Sequence, residues 1–493
     1  MDKYILAIDQ STSGTKAMLF DNNGALLCRS DLPHNQIIDD NGWVEHDLEE
    51  IYRNTINVVV DVVKKAGINK NQVAAVGISN QRETGAAWHR DTGKPVYNAI
   101  VWQCARGESI CADLEAKGYA QTIKSNTGLH LSPYFTAAKL AWVLQNVSGA
   151  KQAAEEKKLN CGTIDSWLIY KLTNGKSFKT DFSNASRTQL LNLAGSKWDI
   201  DICQWFGLSP DMLPEICDSN ALYGYTDFEG FFSTPIPIHA AIGDSHGALF
   251  GQGCLNPGMI KCTYGTGSSV MMNVGKKPLD SESGVVSSVA WAMDGKIDYV
   301  LEGNINYTGA VMQWICDDLG LISSPKEASE VAESASKEDE TYLVPAFTGL
   351  GAPYWNSAAR AALWNMSRHT GKAEIVRAAE ECIAFQINDI VRIMAETSGV
   401  KVASLRVDGG PTRDRFLMQF QSDILDVPVM VSSIEELSGT GAAFMAGIGI
   451  GLYDLDIVST VEHIKYDPKL TPDLREKKLL GWKNAVSAVL KNN

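Results

Sequence analysis

The sequence predicts an α/β protein built from two related halves. Apolar strand-like segments alternate with segments of helical periodicity along the 493 residues, a pattern typical of this fold class. Residues 4–20 read as a strand, a turn of small and hydroxyl residues, and a second strand, and residues 259–274 repeat that plan. A repeated unit indicates duplication. We therefore expect one domain at residues 1–250 and a second at 251–493.

The charge balance excludes several function classes. The chain carries 44 Lys and Arg against 58 Asp and Glu, which gives a formal net charge of −14. An acidic chain binds polyanions poorly, so neither nucleic acid nor a membrane surface is an expected partner. A single local phosphate site is still compatible with this composition.

The N-terminus and the cysteines indicate a cytoplasmic protein. The first nine residues lack the basic region and cleavage site of a signal peptide and read as a buried strand. No apolar run approaches the roughly 20 residues that span a bilayer. Ten cysteines are scattered from Cys28 to Cys382 without a C-x-x-C pair. This usage predicts reduced, mostly buried thiols and neither disulfides nor a zinc site.

The elements of the first half can be placed by periodicity and turn residues. Runs of alternating or continuous apolar residues predict strands, and apolar residues recurring every three to four positions predict a helix. The predicted strands are Tyr4–Ile8, Ala17–Phe20, Ala25–Arg29 and Val73–Ile78, the predicted helix is Leu48–Ala66, and turns are expected at 9–16 and 22–24.

The first of these turns has the composition of an anion site. Residues 11–15 are Ser, Thr, Ser, Gly and Thr, whose backbone N–H groups and hydroxyls can approach a phosphate closely, and Lys16 adds positive charge. Asp9 at the strand end suits Mg²⁺, which prefers one or two carboxylates together with phosphate oxygens. The spacing is not that of a P-loop. A plain polar hairpin is an equally good interpretation of this turn alone.

Two further glycine turns strengthen the nucleotide interpretation. Residues 264–269 repeat the first turn's chemistry, and residues 407–412 join an apolar strand to the predicted helix Arg415–Leu425. A strand–glycine–helix junction is where α/β folds hold nucleotides. Each turn could be merely a tight turn, but three of them in two related halves predict a nucleotide clamp.

Two more groups are candidates for acceptor chemistry. Arg82 and Glu83 follow the strand Val73–Ile78 and could form a surface ion pair, or a donor fork beside an acceptor that suits vicinal hydroxyls. Asp244 follows an apolar stretch and could cap the next helix or act as the general base for a substrate hydroxyl. His246 is better explained as a structural side chain.

Short sequence motifs, in the same order along almost the whole chain, resemble those of the FGGY carbohydrate kinase family, and within it those of the glycerol kinases most closely. They include the turn Asp9–Lys16, Asn80-Gln-Arg-Glu-Thr84, Gly349-Leu-Gly-Ala-Pro-Tyr-Trp355 and Asp408-Gly-Gly410. The other matching stretches are 42–47, 98–103, 134–142, 184–188 and 418–423.

The resemblance implies the actin-like (ribonuclease H-like) ATPase fold, with two duplicated domains and ligands in the cleft between them. It implies a kinase that transfers the γ-phosphoryl group of ATP to a small polyol, with glycerol as the default acceptor. ATP and Mg²⁺ are the implied cofactors. The expected assembly is a homodimer or homotetramer.

The resemblance also assigns roles to residues that match the family's motifs. Asp244 resembles the general base, and Asp9 the carboxylate associated with Mg²⁺. Phosphate-contacting positions are Thr12, Ser13, Gly14, Lys16 and Thr266, and positions around the nucleoside are Gly309, Gln313, Gly410 and Asp414. The implied polyol-site positions are Arg82, Glu83, Trp102, Tyr134, Asp244, Ser245 and Ser269.

Several positions depart from the glycerol kinase pattern. Ser245 stands where glutamine is typical, and Ser269 where an aromatic residue is typical. Two small hydroxyl residues predict a roomier, more polar pocket, which favours a tetritol, erythrulose, xylulose or ribulose as the alternative acceptor. Refilling of that space by neighbouring side chains is the opposing interpretation. Asp414 replaces a usual asparagine and Asn365 a usual glycine, which affects the expected adenine contacts.

Neither of the two regulatory features known in related kinases is predicted. Pro235 occupies the position where an arginine would support fructose bisphosphate binding, and the loop 228–235 lacks the histidine that some relatives have phosphorylated.

An actin- or chaperone-like ATPase that switches conformation and binds protein is the remote alternative. The missing β-rich C-terminal substrate domain disfavours the chaperone form. Arg82, Glu83 and Asp244, which a switch protein would not need, disfavour the scaffold form. The discriminating observation is whether ATP consumption depends on added polyol.

Overall fold

Two mixed β-sheets form the framework of the protein, as the α/β prediction expects. The computed structural model describes residues 2–280 and 284–491. The strands of the first half are β1 (Tyr4–Gln10), β2 (Gly14–Phe20), β3 (Leu26–Pro33), β4 (Ile37–Ile38), β5 (Val44–His46), β6 (Val73–Asn80), β7 (Ala86–His89), β8 (Ala99–Ile100), β9 (Leu159–Gly162), β10 (Lys179–Asp181), β11 (Leu191–Asn192), β12 (Lys197–Trp198), β13 (Glu215–Cys217), β14 (Gly224–Thr226) and β15 (Ile236–Gly243). Those of the second half are β16 (Met259–Tyr264), β17 (Ser268–Gly275), β18 (Val286–Met293), β19 (Lys296–Ile305), β20 (Tyr342–Val344), β21 (Ala362–Trp364), β22 (Ser404–Asp408), β23 (Val429–Ser432) and β24 (His463–Tyr466).

Helices cover the sheets and build the remaining layers. They are α1 (Leu48–Ala66), α2 (Glu108–Ala116), α3 (Ala120–Thr127), α4 (Thr136–Asn146), α5 (Ala150–Glu155), α6 (Ile164–Leu172), α7 (Phe182–Ala185), α8 (Ile200–Trp205), α9 (Asp244–Gly251), α10 (Gly309–Gln313), α11 (Ala328–Glu333), α12 (Lys372–Ser398), α13 (Arg415–Leu425), α14 (Leu437–Gly449) and α15 (Pro472–Lys491).

The two large sheets share one plan, which confirms the predicted duplication. The first has the order β14-β15-β6-β1-β2-β3, in which β1, β6 and β15 are parallel and the remaining pairs are antiparallel. In the second sheet, β24-β23-β22-β16-β17-β19 repeats that order and those directions, with β18 added at the edge beyond β19. Because each set of parallel strands ends at one sheet edge, the loops that follow these strands meet there.

The first hairpin turn is narrower than predicted. Asp9 pairs with Lys16 and Gln10 with Thr15 in the β1–β2 ladder, so only residues 11–13 form the turn. The equivalent turn between β16 and β17 is residues 265–267. The prediction of a turn over 9–16 was too wide because small hydroxyl residues also continue a hydrogen-bonded hairpin.

Local signals correctly delimit the first long helix. Asp47 caps α1, its side chain accepting from the backbone N–H of Glu49 at 2.8 Å, and Gly67 ends the helix in the left-handed conformation. The apolar face of α1 packs on the first sheet. These caps explain why the predicted bounds and the observed bounds agree.

One helix of the second half packs on the first sheet. α14 lies against β1, β6 and β15, and it approaches so closely that a Cβ at Gly77 would sit 2.2 Å from the carbonyl oxygen of Ala442. Only glycine permits this contact. A helix from the second half of the sequence is therefore part of the packing around the first sheet, and the domain boundary at residue 250 remains a prediction.

Two further expectations concern cysteines and membrane segments. All ten cysteines are free thiols and most are buried, as predicted. Within residues 2–280 and 284–491, no helix is both long enough and apolar enough to cross a membrane.

Candidate active site

The carboxyl ends of three parallel strands bring the predicted acceptor and phosphate residues together. Gln10 of β1 is in register with Asn80 of β6, which is in register with Gly243 of β15. The first turn, the loop that begins at Gln81 and the start of α9 at Asp244 therefore share one edge of the first sheet. This topology places residues that are distant in sequence at one site.

The first turn contacts the aromatic wall of this site. The indole Nε1 of Trp102 donates to Thr12 Oγ1 at 3.0 Å, and the backbone oxygen of Thr12 lies 2.8 Å from His34 Nε2. The Trp102 ring meets that of Tyr134 edge to face, with centroids 5.6 Å apart. Turn residues predicted to contact phosphate thus adjoin aromatic residues predicted to contact the polyol.

Lys16 is already paired. Its Nζ lies 2.7 Å from Glu436 Oε2, next to the start of α14, and Arg29 shares the same carboxylate. The sequence predicted Lys16 as a source of positive charge for phosphate. In this structure Glu436 offsets part of that charge, so a phosphate group would share Lys16 with this carboxylate or compete with it.

Asp9 has an unmatched carboxylate oxygen. The residue is 6% exposed, and its Oδ1 has no hydrogen-bond partner among the residues that the structure describes. Burial, reinforced by the negative charge of Asp244, raises the pKa of Asp9 to about 7. A divalent cation would satisfy the free oxygen and compensate the charge, so the residue fits the predicted magnesium role.

This environment predicts that Asp9→Asn stabilises the metal-free protein at pH 8. The unfolded carboxyl loses its proton near pH 3.8, whereas the folded one keeps it until about pH 7. Wild-type stability therefore falls as pH rises between these values. We expect the free energy of unfolding of the variant to exceed that of the wild type by on the order of 1–4 kcal/mol in EDTA at pH 8, and by little at pH 4.

Chemical denaturation at both pH values measures this gain. The pH 4 measurement is the internal control, because the folded wild-type carboxyl is then protonated and the unfolded one is only partly ionised. A variant less stable than the wild type at pH 8 would contradict the interpretation.

Five charged side chains form a mostly buried ion cluster beside Asp9. Both terminal nitrogens of Arg82 donate to Glu302, at 2.9 and 3.0 Å, and its Nε lies 3.2 Å from Asp244 Oδ1. Arg187 contacts Glu83 at 2.5 Å and Glu302 at 3.1 Å. We call Arg82, Glu83, Arg187, Asp244 and Glu302 the ion cluster. Asp244, with a third of its side chain exposed, is the accessible member.

The ion cluster changes the predicted role of Arg82 and adds two residues to the candidate site. The sequence predicted Arg82 as a free donor fork, but Glu302 occupies both terminal nitrogens. Arg187 and Glu302 were not predicted as site residues. Arg187 lies in the stretch 184–188 that carries the family resemblance, whereas no local motif marks Glu302.

Electrostatics keep Glu302 charged. Burial alone would raise its pKa, but the positive charges of Arg187 and Arg82 outweigh that effect and hold the pKa well below its usual range. Glu302 belongs to β19 of the second sheet, and Arg82 follows β6 of the first. The ion cluster therefore joins the two halves of the molecule at the site.

The two serines that depart from the family pattern flank this region. Ser245 follows Asp244 directly and donates its backbone N–H to Asp244 Oδ1 at 2.6 Å. Ser269 pairs with Asn304 in the second sheet, and its hydroxyl has no hydrogen-bond partner within the described part of the chain. No larger side chain occupies either position.

A cavity of about 780 Å³ opens at the edge of the second sheet. Its lining includes all four residues predicted to surround the nucleoside, Gly309, Gln313, Gly410 and Asp414, together with Thr266 from the phosphate group. Apolar walls come from Met312 and Leu417. Such a mixture of apolar walls and a few polar groups suits a purine nucleoside.

Local backbone geometry shapes this cavity. Gly409 has φ of +101°, and a Cβ there would lie 1.9 Å from the carbonyl oxygen of Tyr264, so only glycine fits. The Gly309 N–H donates to the Gly265 oxygen at 2.9 Å, which fixes α10 against the second turn. Asp414 caps α13, accepting from Leu417 N–H at 2.9 Å.

Comparison with known proteins agrees with these features. Models of the FGGY family of carbohydrate kinases match residues 4–251 (N-terminal domain) and 260–450 (C-terminal domain). The chain is 48% identical to glycerol kinase 1 of Thermotoga maritima, over 99% of both chains. It is 44% identical to a glycerol kinase of Caldanaerobacter subterraneus, over 100% of this chain and 99% of that protein.

Solved structures show the same architecture. A crystal structure of Plasmodium falciparum glycerol kinase with ADP superposes with a TM-score of 0.95 at 36% identity, covering 99% of this chain and 98% of that one. A gluconate kinase from Lactobacillus acidophilus, at 23% identity and a TM-score of 0.87, shares the fold over 100% of both chains. The predicted actin-like, two-domain fold is confirmed. The chain belongs to the FGGY family of carbohydrate kinases.

Proposed function

We propose that this enzyme transfers the γ-phosphoryl group of ATP to a hydroxyl of glycerol, forming glycerol 3-phosphate. Asp244 carries the proposal. Arg82 and the Ser245 N–H hold its Oδ1, whereas its Oδ2 has no hydrogen bond to any described residue and the side chain is one-third exposed. An oriented, accessible carboxylate is what a general base needs. The glycerol kinases that match over the full chain support this acceptor.

The proposed mechanism relies mostly on positioning. Asp244 accepts the proton of the attacking hydroxyl, while Arg82 keeps the carboxylate aimed at it. Trp102 and Tyr134 pack against the carbon chain of the acceptor. Phosphoryl transfer requires little covalent help from the protein, so correct alignment and charge neutralisation supply most of the catalysis.

The phosphates of ATP are proposed to lie between the two hairpin turns. Thr12, Ser13 and Gly14 contribute groups from the first turn and Thr266 from the second, and Lys16 joins them when it leaves Glu436. Gly309, Gln313, Gly410 and Asp414 surround the nucleoside. Closure of the two domains would exclude water and limit unproductive hydrolysis.

Mg²⁺ is proposed to bind at Asp9, whose buried Oδ1 lacks a partner. When bound, the ion neutralises phosphate charge. Asp9 itself would hold the ion or one of its waters at the end of β1. Among the described residues no cluster of three or more His, Cys, Asp or Glu side chains could hold a metal, which agrees with a site completed by phosphate oxygens.

ADP release from the purified protein with Mg-ATP tests the acceptor. The panel contains glycerol, erythritol, threitol, erythrulose, xylulose, ribulose, xylitol and arabitol. We expect glycerol to give the highest kcat/KM. A longer compound that exceeds glycerol by tenfold or more would overturn the glycerol assignment but keep the kinase. ATP consumption that is independent of any polyol would instead favour the ATPase switch.

A larger polyol or ketose is the second candidate acceptor. A cavity of about 570 Å³ adjoins the ion cluster, lined by Tyr134, Arg187 and Glu302 among others, although neither Ser245 nor Ser269 lines it. Glycerol is much smaller than this space.

A double variant tests this second candidate. Ser245→Gln with Ser269→Phe should shift the ratio of kcat/KM towards glycerol by roughly tenfold or more, because it fills space that only a longer acceptor uses. Ser245→Ala with Ser269→Ala is the matched control for loss of the hydroxyls without added bulk. A substrate ratio unchanged by the bulky pair would contradict the roomy-pocket hypothesis.

The remaining expectations are part of the proposal. The domains are proposed at 1–250 and 251–493, the assembly as a homodimer or homotetramer, and the location as the cytoplasm. They rest on the sequence pattern and on the family resemblance.

A further inference from the structure

An isolated carboxyl group lines the nucleoside cavity. Glu380 lies on α12, is 2% exposed, and shares the cavity wall with Gln313, Asp414 and Leu417. It does not belong to any of the sets predicted from the sequence. Burial of a carboxyl group in a ligand cavity is costly for folding, which suggests that it serves the ligand.

Glu380 forms no hydrogen bond or ion pair with the described residues that would explain its burial. Its Oε2 lacks a hydrogen-bond partner in the described ranges. Glu381, the next residue on the same helix, shows the usual solution, because Lys478 donates to it at 2.7 Å. The negative charge of Asp414, on the same cavity wall, repels a charged Glu380. Burial and this repulsion raise the pKa of Glu380 well above its ordinary value.

A protonated carboxyl offers one donor and one acceptor side by side. Adenine presents the complementary pair, because N1 accepts a hydrogen bond and the N6 amino group donates one. The two contacts would satisfy the buried group without placing a net charge against the base. Met312 and Leu417 supply apolar surface for the rings of the base.

We propose that Glu380 recognises the adenine base, donating its O–H to N1 and accepting a hydrogen bond from the N6 amino group. This inference rests on the proposed use of ATP and identifies a specificity-determining residue for it. Asp414, the residue directly before α13, helps to keep Glu380 uncharged and remains engaged in capping that helix.

Nucleotide binding to three variants tests the proposal. Glu380→Leu removes both contacts at similar size, Glu380→Gln keeps a donor and an acceptor, and Glu396→Gln is the control on an exposed glutamate of the same helix. The probes are ATP, GTP and purine riboside triphosphate, which lacks the N6 amino group. Competition with a fluorescent ATP analogue gives Kd, and circular dichroism confirms folding.

We expect wild-type protein to bind ATP roughly tenfold or more tightly than purine riboside triphosphate. Glu380→Leu should weaken ATP binding by roughly 10- to 100-fold and abolish that preference. Glu380→Gln should retain most of the preference, and Glu396→Gln all of it. These changes should appear in KM for ATP and leave kcat nearly unchanged.

Three results would overturn the inference: no preference in the wild type, a preference that survives in Glu380→Leu, or tighter binding of GTP than ATP. If Glu380→Leu fails to fold, the wild-type comparison can still overturn the inference, and Glu380→Gln still tests the residue itself. Because binding is measured without an acceptor, the expected pattern in a protein that phosphorylates no polyol would contradict only the proposed function.

Discussion

Asp244→Asn should lose most turnover while still binding nucleotide. Asparagine keeps the shape of the side chain and can still accept from the Ser245 N–H, but it cannot take a proton from the attacking hydroxyl. Loss of a general base typically costs 10²- to 10⁴-fold in rate, so kcat should fall by roughly that factor. Steady-state ADP release with the best acceptor measures the loss.

The controls for this prediction separate chemistry from folding. Asp201→Asn changes an exposed aspartate that, like Asp244 in α9, lies in the first turn of its helix, α8, and should keep full activity. Unchanged Kd for ATP in Asp244→Asn would show that the nucleotide site is intact. Full activity of Asp244→Asn would remove Asp244 from the role of base.

Glu302→Gln should destabilise the folded protein by about 3–5 kcal/mol. Glu302 accepts two hydrogen bonds from Arg82 and forms an ion pair with Arg187, so its loss leaves two buried guanidinium groups with only part of their compensating charge. Arg82 would also hold Asp244 less firmly, so kcat/KM should fall as well. Urea denaturation at pH 7 measures the free energy of unfolding.

The pH dependence of this effect has a definite sign. The pKa of Glu302 is lower in the folded state than in the unfolded state. Its stabilising effect is therefore complete above its ordinary value near 4.5 and is lost as pH falls below that value. The difference between wild type and variant should shrink in that range.

Asp298→Asn is the matched control on the same strand. Asp298, whose side chain is 12% exposed, pairs with Lys276, which is 61% exposed, and because the lysine stays solvated we expect this pair to contribute only about 1 kcal/mol. If Glu302→Gln were no more destabilising than this control, the ion cluster would not contribute to joining the two sheets.

The hairpin turns and the ends of α1 were predictable from the sequence because they depend on residues close together in the chain. Small hydroxyl residues between two apolar runs identified the turns at 11–13 and 265–267, although the first was predicted too wide. Asp47 and Gly67 delimit α1 through contacts within a few residues. The family resemblance likewise rests on short contiguous stretches. The residues around the nucleoside cavity came from that resemblance and not from periodicity.

Contacts between segments far apart in the sequence were not predicted, because no sequence pattern indicates which distant residues will meet. Glu302 meets Arg82 across 220 positions of sequence, and Glu436 meets Lys16 across 420. Both pairs join the two halves of the chain, so they exist only once the sheets are packed together. Glu380 gave no signal either, since a glutamate in a long helix is usually exposed.

The sequence alone therefore determined the α/β class, the duplication, the hairpin turns and the identity of the general-base candidate, because each depends on neighbouring residues or a short motif. Only the tertiary structure decided which charges compensate one another, that Lys16 and Arg82 are already paired, and that Glu380 faces the nucleoside cavity. Ion pairing and burial depend on distance in space, and packing of the two sheets sets those distances.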